Sequence, residues 1–242
     1  MSGLPLLGST DPWSGGPYSA LLSCVLAPNP SPMTLDGTNT WVVGQCVVID
    51  PGPDIVEHLA AIFAAADGGV TQILLTHGHP DHILGGEGLG AGDVVAVGDV
   101  EVQVVATPGH TADCLSFHVP ADGVILTGDT VLGRGTTVVA WPDGHLADYL
   151  ASLESLRERA ATTGAVALLP GHGPVLRDPV AVITGYLDHR RARLEQVRSA
   201  WEAGLRTPDE IVDAVYEEIP EQVRWAALLS TRAQIEYLEA LP

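Results

Sequence analysis

Between residues 76 and 82 the chain reads Thr76-His77-Gly78-His79-Pro80-Asp81-His82, directly after the apolar run Val70 to Leu75. Three imidazoles and a carboxylate packed this closely are the ligand types that hold zinc, iron or manganese, and a strand end presents them from a rigid edge. His77 and His79 are two apart, so an extended backbone sends both rings to the same side. Pro80 can then start a helical turn that carries Asp81 and His82 to an adjacent point. The spacing predicts two half-sites, each short of ligands. The missing ones must come from other strand ends, and the sequence offers His110, Asp129 and His172.

The elements that must position these residues are legible around them. Val94 to Val97 and Val100 to Ala106, joined by Gly98-Asp99 as a hairpin, lead into Gly109-His110-Thr111. The run Val124 to Leu126 leads into Gly128-Asp129-Thr130, and Ala165 to Leu169 into Pro170-Gly171-His172-Gly173. Upstream, Ser19 to Ala27, Thr38 to Val43 and Cys46 to Asp50 predict a β-meander. Asp54 to Ala66 has a helical period stopped by Gly68-Gly69, and Asp148 to Ala160 is a second amphipathic helix. Strand, helix, strand order is an α/β signature. After Pro179 the pattern is helical: 180–203, 208–218, 221–229 and a last turn or two at 235–238. We divide the chain near residue 185, into 1–185 and 186–242. His58 and His118 read as structural, His145 as a helix-start loop residue, and His189 to Arg193 as a solvated helix face.

Taken in order, the H-x-H-x-D-H of residues 77 to 82, Gly109-His110-Thr111, Gly128-Asp129-Thr130 and Pro170-Gly171-His172-Gly173 resemble the motifs of the metallo-β-lactamase superfamily. That resemblance implies a four-layer αββα sandwich. It also implies that His77, His79 and His110 hold one divalent ion, that Asp81, His82 and His172 hold a second, and that Asp129 bridges them. Zinc is the first expectation, with manganese and iron(II) as the other candidates. Asp81, both ligand and neighbour of a bridging hydroxide, is the expected catalytic proton acceptor. Asn29 to Trp41 resembles the N-terminal segment of the lactamase-like protein 2 group, whose members include single-strand endoribonucleases and thioesterases acting on carrier-bound acyl chains. Leu205 to Leu238 resembles that group's small C-terminal winged-helix-like domain.

Composition bears on the substrate. The formal charge is −19, all 11 cations are Arg and there is no Lys. Residues 1–185 hold four Arg against 19 acids and residues 186–242 seven against 11, so an anion-handling surface outside the metal centre is expected in the C-terminal part. An acidic surface repels phosphate backbones, which disfavours RNA as substrate beyond a short single strand. A small acyl or thioester substrate is favoured, and Arg134 is the one cation beside the active-site loops. A mono-iron sulfur dioxygenase or a non-catalytic binding protein is the alternative of another class. No apolar run approaches the roughly 20 residues of a membrane span. Met1 to Gly16 carries no basic residue, and Cys24, Cys46 and Cys114 form no C-x-x-C pair. Both features lead to an expected cytoplasmic location.

Overall fold

The structure, a computed structural model, describes residues 11–67, 69–83, 92–97, 100–216 and 219–241. The expected turn at Gly98-Asp99, the glycine at 68 and the end of the helix expected over 208–218 lie outside them.

Two mixed sheets form the centre. The first runs β1 (Gly16–Pro17), β2 (Leu22–Leu26), β3 (Asn39–Val43), β4 (Val47–Ile49) and β5 (Gln72–Leu74) in that spatial order. Helix α1 (Val56–Ala65) makes the crossover between β4 and β5, which pair in parallel. The second sheet contains β6 (Val94–Val97), β7 (Val100–Ala106), β8 (Leu115–Val119), β9 (Val124–Gly128), β10 (Ala167–Pro170) and β11 (Leu176–Arg177), ordered β11-β10-β9-β8-β7-β6. Helix α2 (Leu146–Thr163) connects the parallel pair β9 and β10. The chain ends in α3 (Pro179–Glu202), α4 (Pro208–Val215) and α5 (Arg224–Glu239).

The period of two along each strand builds four layers. In β3 and β4, Trp41, Val43, Val47 and Ile49 face the second sheet, where they meet Val124, Leu126 and Leu169. The alternate residues Val42 and Val48 pack under Ile62 and Ala66 at α1. On the far side Ile125 and Leu168 meet Tyr149, Leu153 and Leu156 of α2 and Ile183, Tyr186 and Leu187 of α3. Strands buried on both faces read as continuous apolar runs, as β9 does.

Several elements differ from expectation. Two pieces expected at 221–229 and 235–238 are a 3-10 turn, Glu221–Val223, and one continuous helix, α5. Ser230, Thr231 and Gln234 are buried on the inward face of α5, so polar residues interrupt the apolar period although the helix does not break. Helix α2 extends beyond 148–160 at both ends and stops at Gly164, whose φ of 69° is left-handed. Helix α3 passes through residue 185 without interruption, and Ile183, Tyr186, Leu187, Arg190 and Val197 form its buried stripe. The run His189 to Arg193 is therefore not one solvated face. Arg191 points outward and pairs with Glu154 at 2.8 Å, while Arg190 is turned inward. Helix α4 starts as its sequence predicts, with a reciprocal capping box between Thr207 and Glu210. Among the described residues no strand follows β11, and no helix is long and apolar enough to cross a membrane.

Candidate metal centre

The C-terminal ends of β5, β7, β9 and β10 deliver His77, His110, Asp129 and His172 to one place. The turn after β5 adds His79, Asp81 and His82. All seven residues expected from the sequence converge there. Their donor atoms fall into three overlapping sets, each within 4.8 Å: His77, His79 and His110; His77, His82 and Asp129; Asp81, His82 and His172.

The individual spacings are tight. His79 Nδ1 lies 3.0 Å from both His77 Nε2 and His110 Nε2. His82 Nε2 lies 3.1 Å from His172 Nε2, which is 3.2 Å from Asp81 Oδ2. Asp129 Oδ1 is 3.5 Å from both His82 Nε2 and His172 Nε2, and its Oδ2 is 3.8 Å from His110 Nε2. Two nitrogens on one tetrahedral zinc stand about 3.3 Å apart, so these distances suit shared coordination.

The outer nitrogens of four of the five histidines are tied back, which fixes which nitrogen of each faces inward. His82 Nδ1 donates to Asp50 Oδ2 at 2.8 Å. His77 Nδ1 donates at 3.0 Å to Thr76 Oγ1, which itself donates to Asp50 at 2.7 Å. His110 Nδ1 donates to the Val138 carbonyl at 2.5 Å and His172 Nδ1 to the Gly37 carbonyl at 3.1 Å. Four imidazoles thus aim Nε2 at the centre. Asp129 Oδ1 is buried there without a hydrogen-bond partner, an orphan acceptor that a cation would satisfy.

Electrostatics point the same way. Burial, and then the neighbouring histidines, hold His77 well below the usual imidazole range, so it stays neutral and able to ligate. Burial also lowers His110, with Asp129 pulling against it. For Asp129 burial pushes the carboxyl up, but His172, His82 and His110 outweigh it and the net shift is downward. Asp81 is likewise held below the carboxylate range, its burial outweighed by His172 and His82. His82 is pushed up to about 9 because Asp50 and Asp129 overcome its burial. The cluster of carboxylates attracts positive charge to this point, a role a divalent cation would fill on displacing the proton.

Sequence reasoning missed the supports. Asp50 stands just beyond β4, the parallel neighbour of β5, and its two oxygens take the Thr76 backbone N–H, the Thr76 hydroxyl and His82. The same strand-end logic that selected His110 and His172 would have found it. The end of the segment Asn29 to Trp41, read as a family signature, clamps the His172 loop. Asn39 donates to the carbonyls of Pro170 and Gly173 at 2.9 and 2.8 Å, and Trp41 Nε1 to Pro170 at 3.1 Å. Close approach also matters at Gly128, in the left-handed region at φ 47°, where a Cβ would sit 2.5 Å from that of Thr76. Arg134 is occupied by Asp36 and the Asp11 carbonyl. His58 bonds Thr40 and His118 bonds Gln103, so both serve the fold. His145 lies 3.6 Å from Glu236.

Two face-to-face sheets, helices on both outer sides and a His/Asp cluster along the strand ends define an αββα sandwich of the metallo-β-lactamase type. The sequence profile of the Metallo-beta-lactamase superfamily matches residues 33–91 and 86–172. The Beta-lactamase-like protein 2 homolog of Caenorhabditis elegans is 31% identical over 251 residues, covering 88% of this chain and 82% of its own. The Atrochrysone carboxyl ACP thioesterase of Aspergillus chevalieri is 32% identical over 241 residues, with 84% and 76% covered. A solved beta-lactamase domain protein from Burkholderia ambifaria superimposes with a TM-score of 0.80 at 24% identity, over 95% of this chain and 89% of that one. The chain belongs to the metallo-beta-lactamase superfamily.

Proposed function

We propose that this protein is a hydrolase of small thioesters or related acyl esters that works with two divalent ions, zinc before manganese or iron(II). The observation that carries the proposal is the convergence of six His and Asp side chains around the orphan oxygen of Asp129. His77, His79 and His110 would hold one ion, Asp81, His82 and His172 the other, and Asp129 would bridge. When bound, such ions supply a water acidic enough to ionise near neutrality and a Lewis-acidic contact for the substrate's carbonyl oxygen.

The chain's own residues do the rest. Asp50, Val138 and Gly37 keep the imidazoles from rotating, so the donor set is preorganised. Asp81 has the more accessible carboxylate, its side chain 31% exposed against 12% for Asp129, and so it is the one placed to take a proton and pass it to the leaving group. A cysteine nucleophile is not needed, and burial pushes the nearby Cys114 thiol up to about 12, which keeps it protonated. A thioester substrate is supported by the thioesterase among the relatives and by a net charge of −19 that repels polyanions. We assign the ligands to residues 1–185 and the wall of the substrate side to residues 186–242. Three cysteines outside any disulfide support a reducing, cytoplasmic setting.

The test is a substrate panel of an acyl thioester, a lactone, a bis-phosphodiester and a single-stranded RNA, read against Asp81→Ala, with metal content measured on protein purified without added metal. Thioester hydrolysis that disappears in the variant, with about two zinc per chain, is the expected result. One iron per chain, or RNA cleavage as the sole activity lost in Asp81→Ala, would overturn the reading.

A further inference from the structure

A cavity of about 410 Å³ lies between segment 135–138 and the C-terminal helices, within the size range of small-molecule sites. Its walls divide chemically: Ile219, Val223 and Ala227 form an apolar side, and Arg190 and Arg193 of α3, with His189 beside them, a cationic one. Arg190 is only 7% exposed. It donates to the Thr137 carbonyl and stacks 5.0 Å over the Tyr149 ring, yet its Nε is buried with no partner. Arg193 donates to the Val215 carbonyl at 2.9 Å and covers the Tyr216 ring at 4.1 Å. His189 Nδ1 is also buried and unpartnered.

The outward arginines of the same helix, Arg191 and Arg198, pair with glutamates. Among the described residues Arg190 and Arg193 have no carboxylate partner, in a chain that carries 30 acidic side chains. A buried guanidinium without a counter-charge is costly, and its attraction for an anion is strengthened by the low local dielectric. The lowered titration of His189, to about 4 through burial and then Arg190 and Arg193, registers the same positive field.

The cavity is also coupled to the metal centre. Thr137 and Val138 form part of its wall, and from the same strip Thr137 Oγ1 donates to the Asp129 carbonyl at 2.6 Å while the Val138 carbonyl holds His110. A molecule seated on Arg190 and Arg193 is separated from two metal-ligand residues by a single strip of backbone.

We propose that this cavity binds a carboxylate carried on an apolar body, with the anion on Arg190 and Arg193 and the apolar part against Ile219, Val223 and Ala227. Binding there does not depend on the hydrolase reading.

Calorimetry on the intact protein as purified, with 1-naphthoate and the uncharged 1-naphthamide, tests the site. Naphthoate should bind, naphthamide about tenfold more weakly, and Arg193→Gln should weaken naphthoate alone by about tenfold. Arg193 is chosen because Arg190 also supports Thr137, so its loss could disturb the fold. No naphthoate binding at millimolar concentration, equal binding of the two probes, or naphthoate affinity unchanged in Arg193→Gln overturns the site.

Discussion

His82, wholly buried, donates its Nδ1 proton to Asp50 Oδ2 at 2.8 Å, and no other side chain fixes that ring's tautomer among the described residues. Asp50→Asn keeps an oxygen for the Thr76 backbone N–H but can set an amide N–H2 against His82. The ring must then carry its proton on Nε2, the atom that faces the cluster, and it ceases to be a ligand. Replacing such an outer partner typically costs about 10–100-fold in metal affinity. Chelator competition on Asp50→Asn should show a loss of that size; retention equal to the parent protein would remove Asp50 from the support of the centre.

Gly171 lies under the centre, where a Cβ would stand 2.7 Å from both Asp129 Oδ1 and His82 Cε1. Its backbone is not in the left-handed region, so Gly171→Ala costs contact rather than dihedral strain. Displacing two candidate ligands, Asp129 and His82, by tenths of an ångström should reduce turnover by about 10²-fold while circular dichroism stays unchanged. Full activity in Gly171→Ala would mean that the ligands are less constrained than their packing indicates.

The donor set was legible because the seven candidate ligands sit in four short motifs at strand ends, and because strand, helix and turn signals agree around each of them. The supports were not. Asp50 is a lone acid after a three-residue strand, and the carbonyls of Gly37 and Val138 have no side-chain signature at all. Arg190 was hidden for a different reason. It lies in a run of four charged or ionisable residues, and only the phase of the buried stripe through Tyr186, Leu187 and Val197 distinguishes it from Arg191. The four layers followed from the family resemblance, because β3 and β4 are buried on both faces and show no polar alternation, whereas α5 was split because its buried Ser230, Thr231 and Gln234 look like a solvent face.

His189 supplies a pH signature away from the metal ligands. Its folded-state value of about 4 lies below the ordinary 6.5. The folded protein therefore binds fewer protons than the unfolded chain across that interval, and the stability contributed by neutral His189 is present above pH 6.5 and lost as pH falls towards 4. Allowing for its partial contact with solvent, the loss is on the order of 1 kcal/mol. Urea midpoints at pH 7 and pH 4.5 should therefore differ less in His189→Gln than in the parent protein. An identical drop in both would assign the acid sensitivity elsewhere.

Tyr186 connects the C-terminal helices to the His172 turn. Its hydroxyl accepts from the Leu132 N–H and donates to the Leu132 carbonyl, both at 3.0 Å. The next residue, Gly133, donates its N–H to the carbonyl of His172 at 2.8 Å. The phenol is 1% exposed, so Tyr186→Phe leaves a backbone donor and acceptor buried without their partner, and no water can replace it. Such a deletion costs about 1–3 kcal/mol. Urea unfolding should show that loss at unchanged m-value, because the surface exposed on unfolding is the same. Metal retention should weaken with it, because the His172 loop loses part of its support. A full loss of stability with metal retention intact would confine Tyr186 to packing α3 on the sheet and would separate the helices from the chemistry.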